Sequence, residues 1–271
     1  MGELDGKVAI VTGAGRLRGI GRATAVSLAK QGASIAITGT GRDPASFPPD
    51  EKEVGWKDVE STAEQVVNEG QEALPLVGDV TNSSDVERMV QQTLDRFGRI
   101  DILVNNAAFA RGPDRVPVHE LSEEIFRKVV DIKLIGSFLF SKAVGTQLMK
   151  QSNGGRIVNL SSVAGKRGSG TAAAYNVANA SVIMLAQSLA DWLAPYNVTC
   201  NAVCPGLTDT SRMDDLGYPR GTAWNQSTQS NPLGRAATDD EIAGVIAFLC
   251  SDAASYISGQ AINVNGGSVT W

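Results

Sequence analysis

The sequence predicts an α/β fold, a parallel sheet with helices on both faces. Three observations carry that expectation. Short β-branched runs alternate with longer segments of helical periodicity. The runs VAIV and DILV are almost wholly apolar, as strands covered on both sides are. The first of them leads directly into a glycine-rich turn, TGAGRLRGIGRATA. Strand, helix and strand in succession need crossover connections, and hence parallel strands.

In chain order the strands are read at 7–13 (KVAIVTG), 33–39 (ASIAITG), 72–78 (EALPLVG), 100–106 (IDILVNN), 155–161 (GRIVNLS), 198–204 (VTCNAVC) and 260–266 (QAINVNG). Helical patterns such as ATAVSLAKQG, DVERMVQQTLDRFG, EEIFRKVVDIKLIGSFLFSKAV and EIAGVIAFLC lie between them. Two stretches break the rhythm of what reads as one domain over 1–271. Residues 40–58, rich in Pro, Asp and Glu, read as a loop inserted after the second strand. Residues 207–235 leave the carboxyl end of the sixth strand, where such sheets bind ligands, and read as a substrate lid. Its Leu207, Met213, Leu216, Tyr218 and Trp224 hint at a partly apolar pocket.

Composition narrows the function. A chain of 271 residues, 42% hydrophobic, can bury a large core, and a formal charge of −5 without a basic stripe argues against nucleic acid or anionic membrane as partner. Cys200, Cys204 and Cys250 form no even framework, and the single histidine, His119, is distant from them; buried thiols are expected and no metal site. The N-terminus MGELDGKVAIVTG is acidic where a signal peptide is basic, and no apolar run approaches a membrane span, so a cytoplasmic protein is expected.

In the glycine turn, Gly13, Gly15, Gly19 and Gly21, with Ile20 among them, let backbone N–H groups approach a pyrophosphate at the start of a helix. The nucleotide is read from the end of the second strand. An acidic residue there would take the ribose hydroxyls of NAD, but the sequence offers Gly39, Thr40, Gly41 and Arg42. Nothing there repels a 2′-phosphate, and Arg42, with Arg16 or Arg18, could bind one. NADP is therefore favoured, with NAD possible.

The remaining landmarks arrive in order: Asp79-Val80 after the third strand, Asn105-Asn106-Ala107-Ala108 after the fourth, Ser161-Ser162 after the fifth, Tyr175 thirteen residues beyond Ser162, and Pro205-Gly206 after the sixth. With these motifs the chain resembles the short-chain dehydrogenase/reductase family from about residue 4 to the C-terminus. The resemblance implies a doubly wound Rossmann sheet of about seven strands, hydride transfer between a nicotinamide and a carbonyl or secondary alcohol, and commonly a tetramer. It assigns Ser162 to the substrate oxygen and Tyr175 to proton exchange. It places Asp79 and Val80 beside the adenine and Asn106 and Ala107 beside the adenosine ribose. Pro205 and Gly206, with Thr208 or Thr210, hold the carboxamide end of the nicotinamide.

Three departures stand out. Tyr175 and Asn179 share one helix face, one turn apart, but the family has lysine where Asn179 stands. That lysine binds the nicotinamide ribose and lowers the phenol pKa; Asn179 can donate a hydrogen bond to ribose but carries no charge. In VVDIKLIGSFLF, Lys133 occupies the place of the family's active-site asparagine, so the two polar residues look exchanged, and Lys133 is expected to supply the field that residue 179 lacks. The glycine turn is two residues longer than the family's TGxxxGxG. Two other classes fit the same fold: a lyase or isomerase without net redox, and a nucleotide-binding module without catalysis.

Overall fold

The computed structural model describes residues 2–109, 112–215, 222–229 and 231–271, without the side chains of 215, 222 and 223. Seven parallel strands form the central sheet: β1 (Val8–Val11), β2 (Ser34–Gly39), β3 (Ala73–Val77), β4 (Ile102–Asn105), β5 (Gly155–Leu160), β6 (Val198–Pro205) and β9 (Ala261–Val264). A two-residue pairing of β7 (Thr208–Asp209) with β8 (Ala237–Thr238) stands apart. The strand order β3-β2-β1-β4-β5-β6-β9 reverses direction between β1 and β4, and a doubly wound sheet opens a crevice at that switch point.

Alternation along the strands builds the two layers. Ile10, registered with Ala36 on one side and Leu103 on the other, faces Met89 of α4 (Ser83–Phe97), Phe140 and Leu148 of α6 (Gly136–Gln151) and Leu193 of α7 (Ala173–Leu193). Their neighbours Ala9, Val11, Ile35 and Val104 face the other layer. That layer is Leu28 of α1 (Ile20–Lys30), Val66 of α3 (Val59–Asn68) and Ile246 of α10 (Asp239–Cys250). The period of two thus gives a core on each face.

The inserted segment 40–58 is more ordered than the loop expected of it: a 3₁₀ turn at Pro44–Ser46 is followed by the short helix α2 (Pro49–Glu53). The excursion after β6 carries α8 (Ser211–Asp215) and α9 (Thr222–Gln229); Leu216 and Tyr218 lie outside the described residues. Helix α5 (Glu123–Val130) continues into α6 through a π turn, Asp131–Ile135.

One expectation is corrected here. Ala173–Tyr196 is long and apolar enough, by length and composition, to cross a membrane, although no such run was expected. Only a third of that stretch is buried in the fold, Ala174, Ala178, Val182 and Ala186 fully so, while Val177 and Met184 are exposed. All three cysteines are free and buried, and no cluster of metal-ligating residues occurs among the described residues.

Candidate active site

At the carboxyl ends of the strands lies a cleft of about 1340 Å³. That exceeds the roughly 300–1,000 Å³ of a site for one small ligand, and leaves room for a dinucleotide beside a substrate. Every residue singled out above for catalysis or cofactor binding lines it.

The glycine turn fits a pyrophosphate. Gly13 adopts φ +65°, and a Cβ there would come within 2.7 Å of the Ala107 Cα. Helix α1 starts at Ile20 after an N-cap glycine, Gly19, that has no side-chain cap, and no acidic residue stands in its first turn, so its N–H groups stay available to an anion. Thr12 ties the turn to β4, its Oγ1 accepting from the N–H of Asn106 at 3.0 Å and of Ala107 at 3.1 Å. Asn106 Nδ2 returns the tie by donating to the carbonyls of Thr12 and Gly13.

The insertion clamps the lengthened turn. Glu51, with no exposure, accepts from Leu17 N–H at 3.0 Å and from Arg42 at 2.8 Å. The Trp56 indole donates to the Gly15 carbonyl at 2.6 Å, and Asp50 holds Arg18 at 2.8 Å. Asp58 accepts from both the backbone and the Nε of Arg42, and its carboxylate lies where a Cβ on Gly15 would fall. Sequence reading at the end of the second strand did not count this carboxylate. Asp58 lines the cleft between Gly15 and Gly39, brought there from nineteen positions beyond the strand's end. Arg42 is fully engaged by Asp58, Glu51 and the Gly15 carbonyl, while Arg18 contacts Asp50, Asp209 and Asp214. Burial opposes the Arg42 charge, but the Glu51 hydrogen bond and the Asp58 field outweigh it and hold its pKa above the usual value.

The proton-handling residues sit on three elements. Ser162 lies two residues beyond β5, where it caps a 3₁₀ turn, its Oγ accepting from Ala164 N–H at 3.1 Å. Tyr175 and Asn179 lie on α7. Lys133 lies in the π turn, the kind of helical bulge that recurs at functional sites, and is 4% exposed. Burial first, and the nearby Arg212 second, push its pKa down from 10.5 to about 7, with a small opposing contribution from Cys204. Asn179 is 1% exposed; its Nδ2 donates to the Tyr175 carbonyl at 2.8 Å, while Oδ1 is buried without a hydrogen-bond partner. The amide thus has an unused acceptor in Oδ1, and its Nδ2 keeps a second hydrogen beyond the one given to the Tyr175 carbonyl.

Comparisons with known proteins agree with this fold. A family model described as enoyl-(acyl carrier protein) reductase matches residues 13–269. The chain is 37% identical over 270 residues to 3-oxoacyl-[acyl-carrier-protein] reductase of Synechocystis sp., covering 99% of each. It is 33% identical over 274 residues to sorbitol dehydrogenase of Cereibacter sphaeroides, covering 98% of each. A crystal structure of NAD+-bound xylitol dehydrogenase superposes with a TM-score of 0.84 at 34% identity, covering 97% of this chain and 99% of that one. The chain belongs to the short-chain dehydrogenase/reductase family.

The end of this short-chain dehydrogenase/reductase's cleft around Tyr175 carries two guanidinium groups. Arg115, from the segment after β4, places its guanidinium carbon 3.9 Å from the Tyr175 ring centroid, and Arg212 of α8 lies 5.1 Å from the same centroid. Sequence reasoning missed both, along with Asp58, Glu51 and Trp56. The partly apolar pocket expected from the lid is only partly found. Leu207 and Met213 line the cleft, but Arg212 stands between them in sequence and Trp224 does not line it.

Proposed function

We propose that this short-chain dehydrogenase/reductase interconverts a carbonyl compound and a secondary alcohol through a relay in which lysine and asparagine have exchanged places. One observation carries the reading: Lys133, a buried cation, lines the same cleft as Ser162, Tyr175 and Asn179. A bound nicotinamide supplies or accepts the hydride. Ser162 orients the substrate oxygen, and Tyr175 gives that oxygen a proton in reduction and removes it in oxidation. Lys133 supplies the cation of the relay, and Asn179 Oδ1 accepts from a ribose hydroxyl.

Sequence alone favours NADP(H). The carboxylates that occupy Arg42 and Arg18, with Asp58 against Gly15, support NAD(H) instead, because a 2′-phosphate would meet Asp58 and find both arginines engaged. Exposed apolar side chains on the π turn and α6 (Ile135, Phe138) and on α7 (Val177, Met184, Trp192) support a homo-oligomer, for which a tetramer is the family's usual form. A cytoplasmic location is part of the same proposal.

The test is NADH and NADPH oxidation with small ketones, aldehydes and diketones by the wild type, Lys133→Met, Lys133→Asn, and the double exchange Lys133→Asn with Asn179→Lys. Loss of a cation beside the phenol costs on the order of 10² to 10⁴ in rate where proton transfer limits turnover. Both single variants are expected to lose that much, and the double exchange to recover most of it. Lys133→Met turning over within a few-fold of wild type overturns the exchanged relay.

A further inference from the structure

The end of the cleft around Tyr175 gathers positive charge from four separate elements. Arg115 follows β4, Arg167 follows β5, Arg212 is on α8, and Lys128 with Lys133 lies on α5 and its π turn; all five line the cleft. Arg212 donates to the Phe109 carbonyl, and Lys128 sits 5.9 Å from the Phe109 ring. The acidic residues that line the cleft, Asp58 and Asp79, are those of its adenosine end, already committed to Arg42 and to Thr81. Asp114, 1% exposed, lies under Arg115 with its carboxylate 3.5 Å from Nε, and offsets one of the five charges at most.

A structural account of these arginines is too weak. Stacking a guanidinium on tyrosine contributes about 0.5–2 kcal/mol, and two guanidinium groups on one ring repel each other and Lys133. An anion between them would offset that repulsion.

We propose that the substrate is a small oxo acid, its alcohol form a hydroxy acid, whose carboxylate is held by Arg115 and Arg212 while its carbonyl faces Ser162 and Tyr175. Guanidinium forks suit a planar carboxylate, and the cleft's apolar Leu207 and Met213 take the carbon chain. The inference rests on the hydride-transfer reading and names its substrate class. In reduction the carbonyl carbon gains a hydride from NADH and its oxygen gains the Tyr175 proton, giving NAD+ and the hydroxy acid; the carboxylate keeps its charge throughout.

Two readouts separate the inference from the reading beneath it. The first is calorimetric titration of the NADH-loaded enzyme with short straight-chain carboxylates and their matched primary amides. The second is NADH oxidation with 2-oxo and 3-oxo acids and their methyl esters. Carboxylates are expected to bind about 10- to 100-fold more tightly than the amides, the range of one charge-assisted contact, and acids to exceed esters in kcat/KM by a similar factor. In Arg115→Gln and Arg212→Gln the acid-to-ester ratio is expected to collapse, and Arg212→Lys to keep part of it. Carboxylates binding no more tightly than amides overturn the inference, even where esters turn over and the oxidoreductase reading stands. Carboxylates binding while no compound oxidises NADH uphold the anion site and overturn the oxidoreductase reading.

Discussion

Lys133 should cost the fold stability, and the cost should depend on pH in a defined sense. Its pKa falls from 10.5 to about 7 on burial. At ~1.4 kcal/mol per pH unit, charging it inside the protein costs on the order of 5 kcal/mol. Below about pH 7 the lysine is charged in the folded and unfolded states, and the whole cost is present. Between about 7 and 10.5 the unfolded chain binds more protons, so stability rises with pH, and above 10.5 the cost is gone. Lys133→Met keeps the length of the side chain and removes the charge. In urea titrations without cofactor, at fixed protein concentration, the variant should exceed wild type by on the order of 5 kcal/mol near pH 6 and by about 2 kcal/mol near pH 9. The same variant should be nearly inactive, a gain of stability at the expense of function. A variant no more stable than wild type near pH 6, or a gap that does not narrow with rising pH, refutes the reasoning.

Two further outcomes follow from the clamp on the glycine turn. Asp58→Asn removes the carboxylate beside Gly15 and frees Arg42, so the ratio of kcat/KM with NADH to that with NADPH should fall by about 10-fold or more, well within the energy of one charge contact near a protein surface. An unchanged ratio would show that Asp58 does not read the ribose. Glu51→Gln keeps the shape but weakens the hold on Leu17 N–H and on Arg42. It should destabilise by ~1–3 kcal/mol in urea and weaken NADH binding measured by fluorescence titration, and loss of neither would detach the insertion from the cofactor site.

What the sequence made legible was what local pattern encodes. The seven strands of the central sheet were readable because each is a short, largely apolar run between turn residues, and each falls inside or within one residue of the segment read for it, whereas the two-residue β7 and β8 were not read. Lys133 was readable because an ammonium in an apolar helical run is conspicuous. The clamp was not, because Glu51 and Asp58 act on Leu17 and Gly15 only after the insertion folds back across the turn. Without that fold, Arg42 looks available for a phosphate when it is fully engaged. Arg115 and Arg212 were hidden for the same reason. They come from separate segments and meet only over Tyr175. The direction in which Asn179 points its amide is likewise invisible in sequence, since the side chain offers a donor and an acceptor equally.

The charges at Tyr175 tie the substrate to the relay. In the free cleft, burial and Arg212 together leave Lys133 with a pKa of about 7, so the cation it contributes is half lost at neutral pH. A carboxylate on Arg212 removes the second of those causes and adds an attractive charge nearby; burial, the larger cause, remains, so the recovery is partial. The enzyme with NADH bound but no substrate should therefore show kcat/KM for reduction falling as pH rises through about 7, because Lys133 loses its proton. In the substrate complex Lys133 holds its proton more tightly, and the corresponding fall in kcat should lie at higher pH. Measuring both profiles with an oxo acid between about pH 6 and 9 checks this. Coincident limbs would mean that the carboxylate does not reach Arg212. A kcat limb displaced to lower pH would mean that substrate binding dries the site more than it neutralises it, leaving burial as the effect that governs the relay.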